Sequence, residues 1–175
     1  MTERGSQGNT IKLAERRVFS PSFKPLYNEG MGLVERAAEY LDGEGRTEAK
    51  RLTRVGSTLY AAESMRLTTR LMQIASWLLL QRAANSGEMT RDQVASEKSK
   101  VRLDTASAQE NAPGWDELPA AFVDLVRHSL RLQGLVRRMD EEIYGNARAA
   151  TAGPARPANP VNDQITLLNT AFARG

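Results

Sequence analysis

The sequence contains no cysteine, which excludes disulfides, thiolate metal ligands and a cysteine nucleophile together. It contains one histidine, His128, too few for a His-rich metal site. Asp124 four residues before it and Arg131 three after place His128 on the polar flank of a helix, where a surface imidazole rather than a catalytic one is expected. Long apolar runs are missing too. The longest is WLLL at 77–80, whereas a bilayer-spanning helix needs about 20 residues. Residues 1–19 are polar and carry no apolar core of a signal peptide, so the expected location is cytoplasmic. No glycine-rich phosphate loop occurs: Gly30, Gly32, Gly43 and Gly45 read as helix punctuation, and the GEGR stretch as a turn. The adjacent acids Asp116-Glu117 and Asp140-Glu141-Glu142 point in different directions and do not share a hydrolytic site. No enzyme, cofactor or metal is expected.

What is present suits a small helical protein. The 175 residues, 41% hydrophobic and 26% charged, are enough for one soluble domain with tails. The net charge of +3 is spread through interleaved acids and bases, unlike a nucleic-acid footprint.

The organisation follows from periodicity. Residues 1–20 are rich in Gly, Ser, Thr and charge and read as a flexible arm. A first helix is capped by Ser22, with Pro25 in its opening turn. It carries Phe23, Leu26, Tyr27, Gly30, Val34, Ala37 and Leu41 on one face and stops at 43–45. A long second helix is expected from about Thr47 to Asn85, closing at Ser86-Gly87. Tyr60, Ser64, Leu67, Leu71, Ile74 and Leu78 form one seam on it, and Met65, Met72, Ala75 and Leu79 form a second; two seams imply two neighbours. Between Ile74 and Leu80 the helix is apolar nearly all round, as if buried on every side. A weaker, peripheral helix starts at Thr90, with Val94, Val101 and Leu103 to bury. Residues 104–119 are a loop. The last helix keeps four-three spacing through Leu118, Phe122, Leu125, Ser129, Leu132, Val136, Met139 and Ile143, with Gly145 as its terminator.

The architecture is therefore an all-α antiparallel helical bundle of three main helices and a weaker short one, spanning 21–145, with flexible N- and C-terminal tails. Residues 146–158, small and proline-rich, form a disordered linker. In 159–175, Asn159 can cap and Pro160 fits the first helical position, so that Val161, Ile165, Leu168 and Phe172 share one face. This short amphipathic segment reads either as a docking peptide for a partner or as a cover over a groove of its own bundle.

The stretch at 59–83 raises one question. Glu63, Arg66, Arg70, Gln73 and Trp77 keep helical register beside the apolar seam. Arg66 and Arg70, four apart, repel unless acids answer them. The acids could be Glu35 and Glu39, Asp140 and Glu141, or those of a second copy; otherwise the stripe is simply solvated. The apolar end at 74–80 favours a homodimer with this helix central, which assigns Tyr60, Glu63, Arg66, Arg70, Trp77 and Leu78 to a dimer or bundle interface.

Three blocks carry a family resemblance: FKPLYNEGMGLVERAAEYLDGEGR at 23–46, LYAAESMRLTTRLMQIASWLLLQRA at 59–83, and NPVNDQITLLNTAF at 159–172. Together they resemble the alphaproteobacterial regulator of CtrA degradation (RcdA) family, over nearly the whole chain after residue 20. The resemblance implies a helical-bundle homodimer serving as a non-catalytic adaptor for the ClpXP protease. It would help deliver substrates such as the cell-cycle regulator CtrA, in cooperation with a response-regulator-like primer and with recruitment to a cell pole. The alternative is a basic helical protein that binds nucleic acid through Lys98, Lys100, Arg102, Arg131, Arg137 and Arg138, although no motif positions a recognition helix.

Overall fold

The structure, a computed structural model, describes residues 23–151, with side chains through Gly145. Its described elements are α-helices and one 3-10 turn. Helix α1, Phe23–Asp42, keeps Pro25 in its first turn, where a missing N–H costs nothing. It buries Phe23, Gly30, Leu33, Ala37 and Tyr40, a stripe at the three- and four-residue steps of an amphipathic helix.

The long second helix expected from Thr47 is two helices. Helix α2, Glu44–Ala49, includes the GEGR stretch expected to be a turn, and α3, Arg54–Ser86, begins afresh. Thr53 imposes the break. Its extended backbone lets the hydroxyl accept from the Gly56 N–H, while Glu117 accepts from both the Thr53 N–H (3.1 Å) and its hydroxyl (2.8 Å). At the other end Gly87, with φ of 76°, supplies the left-handed residue of a Schellman motif. Its N–H donates to Ala84 O, and the Glu88 N–H donates to Ala83 O.

Helix α4, Arg91–Lys98, opens with a complete Thr90/Gln93 capping box. Val94 and Leu103 are buried and Val101 half-buried, but the helix ends before the latter two. A 3-10 turn at Trp115–Glu117 follows Gly114, and the backbone at Gly114 passes so close to Gly56 that a Cβ there would lie 3.1 Å from the Gly56 Cα. Helix α5 then runs Ala120–Thr151. Leu118 therefore precedes the helix, and Gly145 lies inside it rather than ending it; Gly145 takes no left-handed conformation.

Residue pairings give the directions. Gly30 of α1 meets Leu78 of α3, and Tyr40 stacks near Phe122 of α5, whose ring also lies 4.6 Å from that of Tyr60. His128 of α5 bonds Glu29 of α1 at 2.8 Å. So α1 is antiparallel to both partners, while α3 and α5 run parallel. The crossover through α4 and the following loop, residues 87–119, makes that parallel pair possible, since a short connection cannot return the chain to the same end. Gly30 sets the α1–α3 approach, because a Cβ there would stand 2.3 Å from Leu78 Cδ1. The core around it is Leu33, Leu67, Ile74, Trp77, Leu78 and Phe122, all essentially inaccessible to solvent.

Candidate functional site

The stripe beside the α3 seam is not solvated. Glu63 and Arg70 are both 0% exposed. Arg70 donates through Nε to Thr105 O (3.2 Å) and through its terminal nitrogens to Ser129 Oγ (2.7 Å) and Ser107 Oγ (3.0 Å). Glu63 accepts from the Ser107 hydroxyl (2.7 Å) and the Ala108 N–H (2.9 Å), and is ion-paired with Arg66. The Ser107 hydroxyl thus accepts from the guanidinium and donates to the carboxylate, bridging two buried opposite charges. Burial pushes the Glu63 carboxyl up, but the Ala108 N–H, the Ser107 hydroxyl and Arg66 outweigh it and hold it below its ordinary value. Burial also pulls the Arg70 guanidinium down, against the attraction of Glu63.

The network extends outward. Thr105 donates its hydroxyl to Gln73 Oε1 (2.9 Å). Gln133, with its amide oriented to satisfy both groups, donates to Thr105 O (3.3 Å) and accepts from Thr105 N–H (3.1 Å). One loop stretch, 105–108, is therefore fastened to α3 and α5 by polar groups where an apolar core would have left its backbone unsatisfied. A second fastening lies further along. Asp140 accepts from the Trp77 indole N–H (2.9 Å) and holds the Lys98 ammonium at 2.5 Å, joining α3, α4 and α5.

The acids sought for the two arginines are thus neither Glu35 nor Glu39, nor Asp140 nor Glu141. Glu63 takes Arg66 itself, and Arg70 is satisfied mainly by the 105–108 loop and Ser129. Of the six residues assigned to a dimer or bundle interface, Tyr60, Glu63, Arg70, Trp77 and Leu78 are buried within this one chain; only Arg66 reaches solvent. Thr105, Ser107, Ala108 and Gln133 were not marked by periodicity. Ser129 carried a signal, being a hydroxyl set in an otherwise apolar seam. His128 is half-buried against Glu29 rather than free in solvent.

The second seam on α3 does face outward. Met65 is 73% exposed, Met72 66% and Leu79 47%, and among the exposed positions from Val55 to Leu79 the single charge is Arg66. The outer faces of α1 and α5 differ, with Lys24, Glu29, Glu35, Arg36 and Glu39 on one and Asp124, Arg127, Arg131 and Arg137 on the other.

Four of the six cations of the nucleic-acid alternative are paired: Lys98 is buried on Asp140, Lys100 pairs with Glu97, Arg102 with Asp104 and Arg137 with Glu141, while Arg131 and Arg138 are exposed on α5. Among the described residues no helix is long and apolar enough to cross a membrane, and no cluster of acids and histidine is placed to hold a metal. Val161, Ile165, Leu168 and Phe172 lie outside the described residues, as do the 1–20 arm and most of the 146–158 linker.

A family model described as a protein of unknown function, DUF1465, matches residues 14–172. Among solved structures, RcdA from Caulobacter crescentus CB15 is similar at 43% identity, covering 70% of this chain and 90% of that one, with a TM-score of 0.57. The chain belongs to the RcdA family. Comparison with curated proteins finds no match. The three sequence blocks had pointed to this family.

Proposed function

We propose that this member of the RcdA family is a dimeric, non-catalytic adaptor that helps deliver substrates such as CtrA to the ClpXP protease. The observation that carries the reading is the 43% identity to RcdA over 90% of that chain. An adaptor needs no chemistry of its own: holding a substrate near the protease raises its effective concentration and so its rate of capture. In this reading a response-regulator-like primer readies the protease, and the segment 159–175 docks on the primed complex through Val161, Ile165, Leu168 and Phe172. The work takes place in the cytoplasm, with recruitment to a cell pole.

The dimer surface in this proposal is the outer face of α3. Exposed helix faces ordinarily carry charge, whereas this one presents Met65, Met72 and Leu79 at seven-residue spacing with Ala61, Thr68, Thr69 and Ser76 around them. A seven-residue apolar repeat suits a second helix at a shallow angle.

The test reconstitutes CtrA degradation with ClpXP and its primer. The full chain should accelerate loss of CtrA, a chain ending at residue 158 should not, and both should sediment as dimers. A Met65→Glu/Met72→Glu variant should sediment as a monomer with unchanged helical content. Unchanged degradation with and without the full chain would remove the adaptor reading, and a variant that stays dimeric would remove the α3 interface.

A further inference from the structure

A groove of about 520 Å³ runs along the first half of α3, with the crossover loop as its far wall. Val55, Leu59 and Ala62 form one side, and Ala108, Ala112 and Pro113 the other. Among the described residues, the charged ones that line it are two arginines on α3, Arg54 and Arg66. Among the described residues no carboxylate pairs with Arg54. Arg66 meets Glu63 yet remains 44% exposed. The nearby Glu117 does not line the groove and is occupied by Thr53. Val55, on the groove side, is 53% exposed.

The wall and one cation share a support. The buried Glu63 carboxylate holds the Ala108 N–H and the Ser107 hydroxyl, which fixes the loop side, and it orients Arg66, which sits on the helix side. The groove is thereby held at a set width by a group that cannot leave without exposing a buried charge.

We propose that this groove docks a segment of a partner protein that is apolar at its centre and acidic at its ends. Charge complementarity selects the occupant. Among the described residues Arg54 has no carboxylate partner, Arg66 shares its charge with a buried Glu63 but keeps an exposed edge, and no acid lines the groove. This favours acids on the occupant, while the apolar floor favours aliphatic side chains. Twelve helical residues separate the cations, about 18 Å along the axis, a span matched by about five or six residues of extended peptide. The inference stands on the groove alone and does not require the protease reading.

The probe is a labelled, end-blocked peptide Asp-Asp-Leu-Val-Ala-Leu-Asp-Asp, titrated against the full chain by fluorescence anisotropy beside the same peptide with lysines at its ends. The acidic peptide should bind at least tenfold tighter than the lysine peptide and should weaken as salt is raised. Arg54→Glu should reduce its affinity at least tenfold, and Val55→Gln severalfold. Arg54 is the first residue of α3, where a glutamate favours the helix dipole, so loss of binding in that variant is not loss of fold; circular dichroism checks this. Equal affinity for the two peptides, no saturable binding of the acidic one, or binding indifferent to Arg54→Glu would overturn the proposal. A chain that binds the peptide without accelerating CtrA degradation would keep this inference and lose the adaptor reading; the reverse result would do the opposite.

Discussion

Replacing Glu63 by glutamine tests whether the buried network is an ion system or merely a set of hydrogen bonds. The amide is nearly isosteric, so the Ala108 N–H can still be accepted and the cavity does not change. What disappears is the negative charge facing Arg70, which stays fully buried with only neutral acceptors, and the answer to Arg66, which can turn to solvent. Removing one partner of a buried pair costs about 3–5 kcal/mol, chiefly through the charge left behind. The retained Ala108 bond puts the expectation at the lower end, roughly 3 kcal/mol, or roughly 10 °C in Tm for a domain of this size. Urea unfolding at neutral pH measures it. Replacing both charges, Glu63→Gln with Arg70→Met, should cost clearly less than the sum of the single changes. The sign of the pH dependence adds a check. The folded Glu63 carboxyl lies below its ordinary value of 4.5, so the unfolded chain binds this proton more tightly. The stability it contributes is therefore present above that pH and is lost as pH falls through the folded value; Glu63→Gln should lack this acid-side component. A cost under about 1 kcal/mol, or strict additivity in the double variant, would refute the reasoning, since such values are typical of a solvated surface pair.

Other contacts give expectations of similar directness. Gly30→Ala drives a methyl into Leu78 and should cost about 1–3 kcal/mol by overpacking, read as a lowered urea midpoint without change in secondary structure. Asp140→Asn removes the counter-charge of buried Lys98 and should cost about 3 kcal/mol or more, while Lys98→Met/Asp140→Asn should recover much of it; the tryptophan emission reports the altered partner of the Trp77 N–H. Burial, reinforced by Glu48, pushes the Tyr40 hydroxyl far up, and burial likewise raises Tyr60. The stability these tyrosines contribute is complete below their ordinary value of 10.0 and is lost as pH rises past it, so phenolate absorbance should show part of the tyrosine ionising only together with alkaline unfolding.

Much of the bundle was legible because apolar period reports burial. The faces of α3 and α5 fell where the spacing put them and that of α1 did so in part, its buried line running through Leu33 and Tyr40 rather than Val34 and Leu41. The Thr90 cap and the close at Ser86-Gly87 followed local chemistry that acts within a few residues. The break before α3 was not legible, since it depends on Glu117 reaching Thr53 from 64 positions away. Nor was the parallel course of α3 and α5, which follows from the crossover's path and not from any seam. The buried stripe shows the limit most sharply. Periodicity placed Glu63, Arg66, Arg70, Gln73 and Trp77 together, but polar residues read the same way whether water or a loop satisfies them. The loop at 105–108 has ordinary loop composition; only its position makes Ser107 a bridge between two charges. The one readable trace was Ser129, a hydroxyl standing where the seam called for an apolar side chain.

Helix α3 explains why these features occur together. One face is apolar and meets α1 and α5, a second is polar and is covered by the crossover loop, and a third carries Met65, Met72 and Leu79 with nothing of the described chain over it. A helix covered on two sides has one face left on which to keep charge for solubility, and here that face has almost none. Along α1 and α5 the exposed positions are charged as usual, so the lack is local to α3. Apolar exposure of this kind is a cost to an isolated chain, and the cost is removed when a second surface covers it. The rigid fastening of the loop by Glu63 and Arg70 fits the same logic, because a helix that presents a face to a partner must hold its other two sides fixed for that face to keep its shape.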